Sequence, residues 1–413
     1  MTAAPTGAAM PGKEPVGPGA SGQVRPARVA NLLYTDTEEE LRAAVRGLLE
    51  DKAFWRDVLA RTETGQTYDD KLWRSLAGEV GCAGLLIPEH LGGAGATFRE
   101  AAVVAEEIGR AIAPVPFLGS AVIATTALWA AGDTALLPEL ASGAVTASLA
   151  VPFATGTRTR PDPTVRLTVP PKSGPKPGDG QADHWLAGTI SGVADALPAS
   201  LLLVPVDGVP YGLYAVRTSS PGVGMRPQAS LDMTRQLCEV HLENVPAQRI
   251  AVGQAAEQAM AAALLAGAGI LASEQLGAAE RALEITVAYV KERRQFARPV
   301  GSFQALKHRL ADLWVAVTQA RAAARYAADW LAAGFGPETT LAVALAKASC
   351  SDTGLKAAQE MIQLHGGIGF TWEHPAHLFL KRAKADSLAL GTADAHRASL
   401  EVLADLQPPK ASK

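Results

Sequence analysis

The stretch YVKERRQFARPVGSFQALKHRLAD, residues 289–312, decides how this chain is read. It is a helix end loaded with cations, a tight loop bounded by Pro299, and a new helix capped near Ser302. Upstream, Leu276, Ala279, Leu283, Val287 and Val290 fall on one helical face. Downstream, Phe303, Leu306, Leu310, Leu313 and Val317 recur at spacings of three and four. Taken alone, Arg293 and Arg294 read first as cations complementing a helix C-terminus.

Working outward, Pro337 opens a third long helix that stops at Gly366-Gly367 within QLHGGIGFTWEHP (363–375). By itself that ending is a glycine cap before a turn. Pro375 opens a fourth helix, so the C-terminal region predicts a four-helix bundle packed through small residues. Before it, TASLAV (146–151), TVRLTV (164–169), HWLAGT (184–189), SLLLVPV (200–206), YGLYAVR (211–217) and LCEVHL (237–242) are short, branched and turn-bounded. They predict an antiparallel β-domain, with 170–182 as a flexible surface loop. Earlier still, Thr35 or Asp36 caps a first helix, and helical character returns at 68–80 and 98–113 around the connector GLLIPEHLGGAG (84–95). The fold class is α+β. A disordered arm (1–29) leads into an N-terminal helical domain (30–144), a β-domain (145–250), a helical bundle (251–406) and a tail (407–413).

Composition sets the limits. The 413 residues are 48% hydrophobic, which excludes a disordered chain, and 38 Lys+Arg against 41 Asp+Glu leave no basic footprint for nucleic acid. Cys82, Cys238 and Cys350 are scattered, so neither a disulfide framework nor a metal knuckle is expected, and a reducing cytoplasm fits best. The uncharged run 259–272 is short for a membrane span, and Pro114 and Pro116 interrupt the run 111–132. No apolar core follows the scattered N-terminal cations, so no signal peptide is expected.

Together the two signature segments resemble the acyl-CoA dehydrogenase family, which writes them E-R-x-Q-F-G-x-P-I-x-x-F-Q and Q-x-x-G-G-x-G. The connector at 84–95, the AEEIGR that follows it, and SLDMTRQLCEVHLENVPA (230–247) are similar to the same family, so the likeness spans about 35–405. It implies that fold and an FAD flavoprotein, usually a tetramer, that desaturates acyl-CoA between Cα and Cβ. An electron-transfer flavoprotein or similar acceptor would follow. Arg293 matches the position that compensates the FAD pyrophosphate, where planar donors suit phosphate oxygens. Gln295, Phe296, Gln363 and Thr392 match further cofactor-contacting positions, and Gly366-Gly367 lets the backbone approach closely. In the family these groups reach the FAD of a neighbouring subunit.

The likeness fails where flavin ring and substrate belong. The ring-contacting T-E-P-x-x-G-S-D and W-x-T/S stretches read AVPFATGT (150–157) and ISGVADA (190–196), and Ala297 replaces a glycine. Desaturation needs a carboxylate for the α-proton. The usual position before Gly-Thr is Leu390, and the alternative one falls near Gly267. Glu274, Asp386 and Asp394 are the remaining candidates, so the identity of any base is open. Glu373 and His374 read as a helix cap, and His365 as packing beside the glycines. No metal site is expected. The surviving half serves a neighbour's cofactor, which points to a base-lacking subunit completing the site of a sister chain. A self-sufficient enzyme with a displaced carboxylate, and a non-catalytic binding subunit, stay open.

Overall fold

Thr35 starts the fold. Its hydroxyl accepts the Glu38 amide at 3.3 Å, and the Glu38 carboxylate accepts the Thr35 amide at 2.6 Å, a reciprocal cap for α1 (Asp36–Lys52). The computed structural model describes residues 28–158, 163–169, 184–208 and 210–405. Residues 1–27 of the expected arm, the loop 170–182 and the tail 407–413 lie outside the described residues. A helix the sequence did not signal, α2 (Trp55–Thr62), precedes α3 (Asp70–Glu79). Thr97 and Glu100 repeat the reciprocal cap for α4 (Phe98–Ala111).

Ile112 ends α4 in the left-handed region, at φ 49°, and Pro114 and Pro116 follow. The chain then runs as a π-helical stretch, Phe117–Ala124, into α5 (Thr125–Ala130), and α6 (Leu137–Ala141) completes this part. The whole of 117–128 is buried inside the protein.

Seven strands follow: β1 (Ala147–Leu149), β2 (Val165–Thr168), β3 (His184–Ala194), β4 (Leu201–Val206), β5 (Gly212–Arg217), β6 (Val223–Pro227) and β7 (Leu237–Val252). Their order is β1-β4-β5-β7-β3-β2, with β6 also on β7. The expectation of a wholly antiparallel domain needs correction, because β1 pairs parallel with β4 (Ala147 opposite Leu201). The crossover includes β2 and β3, ample length for a parallel return. The β6 strand escaped the sequence reading because VGMRP is mostly exposed and carries Gly and Pro. At 16 residues β7 is long enough to serve two neighbours, pairing with β3 through its first part and with β5 through its last.

The C-terminal layer holds α7 (Gln254–Glu292), α8 (Gln304–Ala333), α9 (Pro337–His365), α10 (Ala376–Leu388) and α11 (Ala393–Leu403). The run 259–272 therefore sits in a 39-residue helix, long and apolar enough to cross a membrane by length and composition. Its apolar window is 78% buried within the protein, which makes it the core helix. The α4 and α7 backbones touch: a Cβ on Gly277 would overlap the Glu106 carbonyl, and one on Gly109 the Glu274 carbonyl. The fourth expected helix is broken at 389–392, giving α10 and α11. Ser302 does not cap α8; Phe303 precedes that helix without a side-chain cap, and Ser302 lies in a short 3-10 turn.

Candidate functional site

The two signature segments meet at the ends of α7 and α9. Tyr289 Oη donates to the His365 carbonyl at 3.3 Å, and the two rings stack with centroids 4.3 Å apart. Beyond Tyr289, α7 ends at Glu292, and a two-stranded hairpin pairs Arg294 with Pro299 and Gln295 with Arg298. Phe296 and Ala297 form its turn at φ 52° and 62°. That geometry belongs to a primed hairpin turn, which explains why the related motif has glycine where Ala297 stands. Arg293, Gln295 and Phe296 are all exposed, and the Arg293 guanidinium has no partner among the described residues.

At the end of α9, Gly366 is left-handed at φ 62°, and Cβ atoms on Gly366 or Gly367 would meet nothing within 4 Å. Gln363 is exposed in the preceding turn. His365 lies beneath, its Nδ1 against the Met361 carbonyl at 2.6 Å, and burial lowers its pKa. His374 Nδ1 accepts the Ala376 amide at 3.3 Å, at the start of α10, whereas the cap position itself is Pro375, without a side-chain bond. An open, cationic, Cβ-free surface fits a pyrophosphate. Thr392 is placed differently: its hydroxyl accepts the Ala395 amide and caps α11 beside Leu390.

The ring side is the opposite case. Val151 and Phe153 from AVPFATGT, Ala194 and Asp195 from ISGVADA, and Leu390 line one cavity of about 20 Å³. That volume admits about one water molecule. The backbones that frame it bond directly: the Phe153 amide donates to the Gly192 carbonyl at 2.8 Å, and the Leu390 amide to the Phe153 carbonyl at 2.7 Å. Leu390 is 1% exposed. These residues do not fit a flavin ring.

Sequence reasoning missed Asp195, the one carboxylate lining this cavity. It accepts from Tyr68 Oη at 2.8 Å and from the Gly119 amide at 3.0 Å, and burial raises its pKa although Arg235 opposes this. A single aspartate between two alanines carries no pattern that would have marked it.

The other candidate bases are engaged. Glu274 is buried, with both carboxylate oxygens on Arg235 (2.8 and 2.7 Å) and a further ion pair to Arg382. Asp386 is bound to Arg235 at 2.8 Å, and Arg382 also holds Asp232 at 2.5 Å. Burial pushes Asp386 up to about 7, with Arg235 pulling against it. Lys347 Nζ donates to Ser351 Oγ at 2.8 Å and to the Asp386 carbonyl at 2.9 Å. Asp394 is on the surface, paired with Arg397 at 3.0 Å. Among the described residues no three His, Cys, Asp or Glu side chains are grouped to hold a metal ion.

Two family models match the chain: "Acyl-CoA dehydrogenase, N-terminal domain" over residues 35–144 and "Acyl-CoA dehydrogenase, C-terminal domain" over 255–401. The acyl-CoA dehydrogenase IpdE2 of Mycolicibacterium smegmatis is 37% identical over 357 residues, 86% of this chain and 95% of that one. A solved steroid acyl-CoA dehydrogenase variant, Tcur3481-Tcur3483, superposes with a TM-score of 0.75 at 30% identity, covering 90% of this chain and 98% of its own. The ChsE4-ChsE5 complex from Mycobacterium tuberculosis does so with a TM-score of 0.78 at 26% identity, covering 92% and 100%.

Proposed function

This chain belongs to the acyl-CoA dehydrogenase family, and from that premise we propose that it is the base-lacking subunit of a heteromeric acyl-CoA dehydrogenase. The family's reaction is FAD-dependent oxidation of acyl-CoA. Bound FAD would supply the hydride acceptor for the β-hydrogen of the thioester, and a carboxylate must take the α-proton. One observation carries the proposal: Leu390, in the wall of a cavity of about 20 Å³, and Gly267 behind it offer no carboxylate, while Arg293 and the Gly366-Gly367 turn stand open. Arg293 would hold the pyrophosphate, Gln295, Phe296 and Gln363 would line the dinucleotide, and a sister chain would supply carboxylate and ring pocket. Two similar structures carry paired chain names, which supports a two-chain assembly. An electron-transfer flavoprotein is the proposed acceptor.

Expression alone and with a sister chain tests this. The lone protein should be colourless or unstable, and co-expression should give a yellow complex that reduces an acceptor with acyl-CoA. A lone yellow tetramer with that activity would overturn the proposal.

A second reading, a self-sufficient enzyme with a displaced base, draws on Asp195 in the cavity wall. Asp195→Asn would then abolish turnover. In the subunit reading the same variant leaves the sister chain's chemistry in place.

A further inference from the structure

We infer that this chain holds no flavin ring of its own, because a latch between Phe153 and Leu390 fills the place where one would lie. Five observations carry this. The two segments matching the family's ring-contacting loops close on a cavity of about 20 Å³, whereas pockets for ligands of that size begin at about 300 Å³. The amide of Leu390, the residue at the usual base position, is already spent on the Phe153 carbonyl at 2.7 Å and has no donor left for a substrate oxygen. The Leu390 carbonyl is held as well, by His396 Nε2 at 2.9 Å. The Arg235 guanidinium lies over the Phe153 ring at 5.5 Å and is itself fixed by Glu274 and Asp386. Finally, the Leu390 and Ile123 side chains both lie against α7 at Gly267, where a Cβ would meet them at 3.1 and 2.7 Å, so the far wall is solid.

To admit a planar three-ring system, the backbone bond from 390 to 153 must break and buried apolar contacts must separate. Nothing on the ring side repays that cost, since the segments 150–157 and 190–196 supply no aromatic ring to stack on except Phe153 itself. The latch thus converts the loss of a base into loss of the whole ring site. In a heteromer it leaves one flavin per pair of unlike chains, a count that rests on the subunit reading.

The test is flavin content of the purified assembly, read from visible absorbance against protein concentration. One FAD per pair is expected, and two per pair would overturn the latch while leaving the heteromer standing. Should the chain assemble only with itself, the heteromer fails; the latch then still requires essentially no flavin, and one per chain would overturn it. Hydrogen exchange at the Leu390 amide gives an independent measure. Its protection should be the same with and without added FAD, and deprotection on addition would show the latch opening.

Discussion

Leu390 and Gly267 meet beside the small cavity: a Cβ on Gly267 would lie 3.1 Å from Leu390 Cδ1 and 2.7 Å from Ile123 Cγ1. The two positions at which the family resemblance places a carboxylate therefore converge on one spot, from α7 and from the 389–392 break. Neither can receive a larger group without displacing the other.

Leu390→Glu therefore fails to create an active lone enzyme. The carboxylate would be buried among Ile123, Leu264 and Phe153 with no cationic partner in the cavity wall. An unpaired group of that kind costs at least ~2 kcal/mol, so the thermal midpoint should fall and acyl-CoA turnover by the lone chain should stay at background. Stable protein with measurable turnover would show that the cavity opens.

Arg293→Ala acts on the other surface. The guanidinium is exposed and supports nothing in the fold, so the unfolding midpoint should not move. A charge-assisted bond to phosphate is worth about 1.5–3 kcal/mol, which predicts a roughly 10- to 150-fold weaker FAD affinity in the complex. Arg293→Lys keeps the charge without the planar fork and should recover only part of it. FAD retention equal to the parent complex would remove Arg293 from the site.

What was legible followed periodicity and punctuation. The capped start at Thr35 and the stops at Glu292 and Gly366 leave local marks in sequence. The residues proposed to face the cofactor were singled out because Arg293 and Gly366 sit in short ordered motifs. The latch was not, because Phe153 and Leu390 are 237 positions apart and are joined by a backbone bond that no side chain announces. The ion cluster was hidden for the same reason: Arg235 and Arg382 come from different layers and share the Glu274 carboxylate, 39 and 108 positions away in sequence.

Glu274 decides between a structural and a catalytic role. Glu274→Ala leaves two buried guanidiniums short of their shared partner, and breaking a buried pair in this way costs about 3–5 kcal/mol. Denaturant unfolding should show that loss in the lone chain, without any substrate present. A variant of parental stability whose complex loses turnover would instead make Glu274 a displaced base.

The imidazoles beneath the glycine turn give a pH dependence. Burial, with His365 and His377 nearby, lowers His374 to about 4, and burial, with Lys381 nearby, lowers His377 to about 4. Unfolded histidines take up protons near their ordinary value of about 6.5. Between that value and 4 the unfolded chain binds protons that the folded chain does not. The stability these groups contribute is therefore complete above about 6.5 and is lost as pH falls toward 4. The contact is specific: the His377 ring meets the Trp372 ring edge-on with centroids 4.6 Å apart, and the His365 and His374 rings lie 4.1 Å apart. His377→Phe keeps a ring there without a titrating group. Its thermal midpoint should fall less than that of the parent between pH 7 and pH 5, and an equal fall in both would assign the acid sensitivity to other groups.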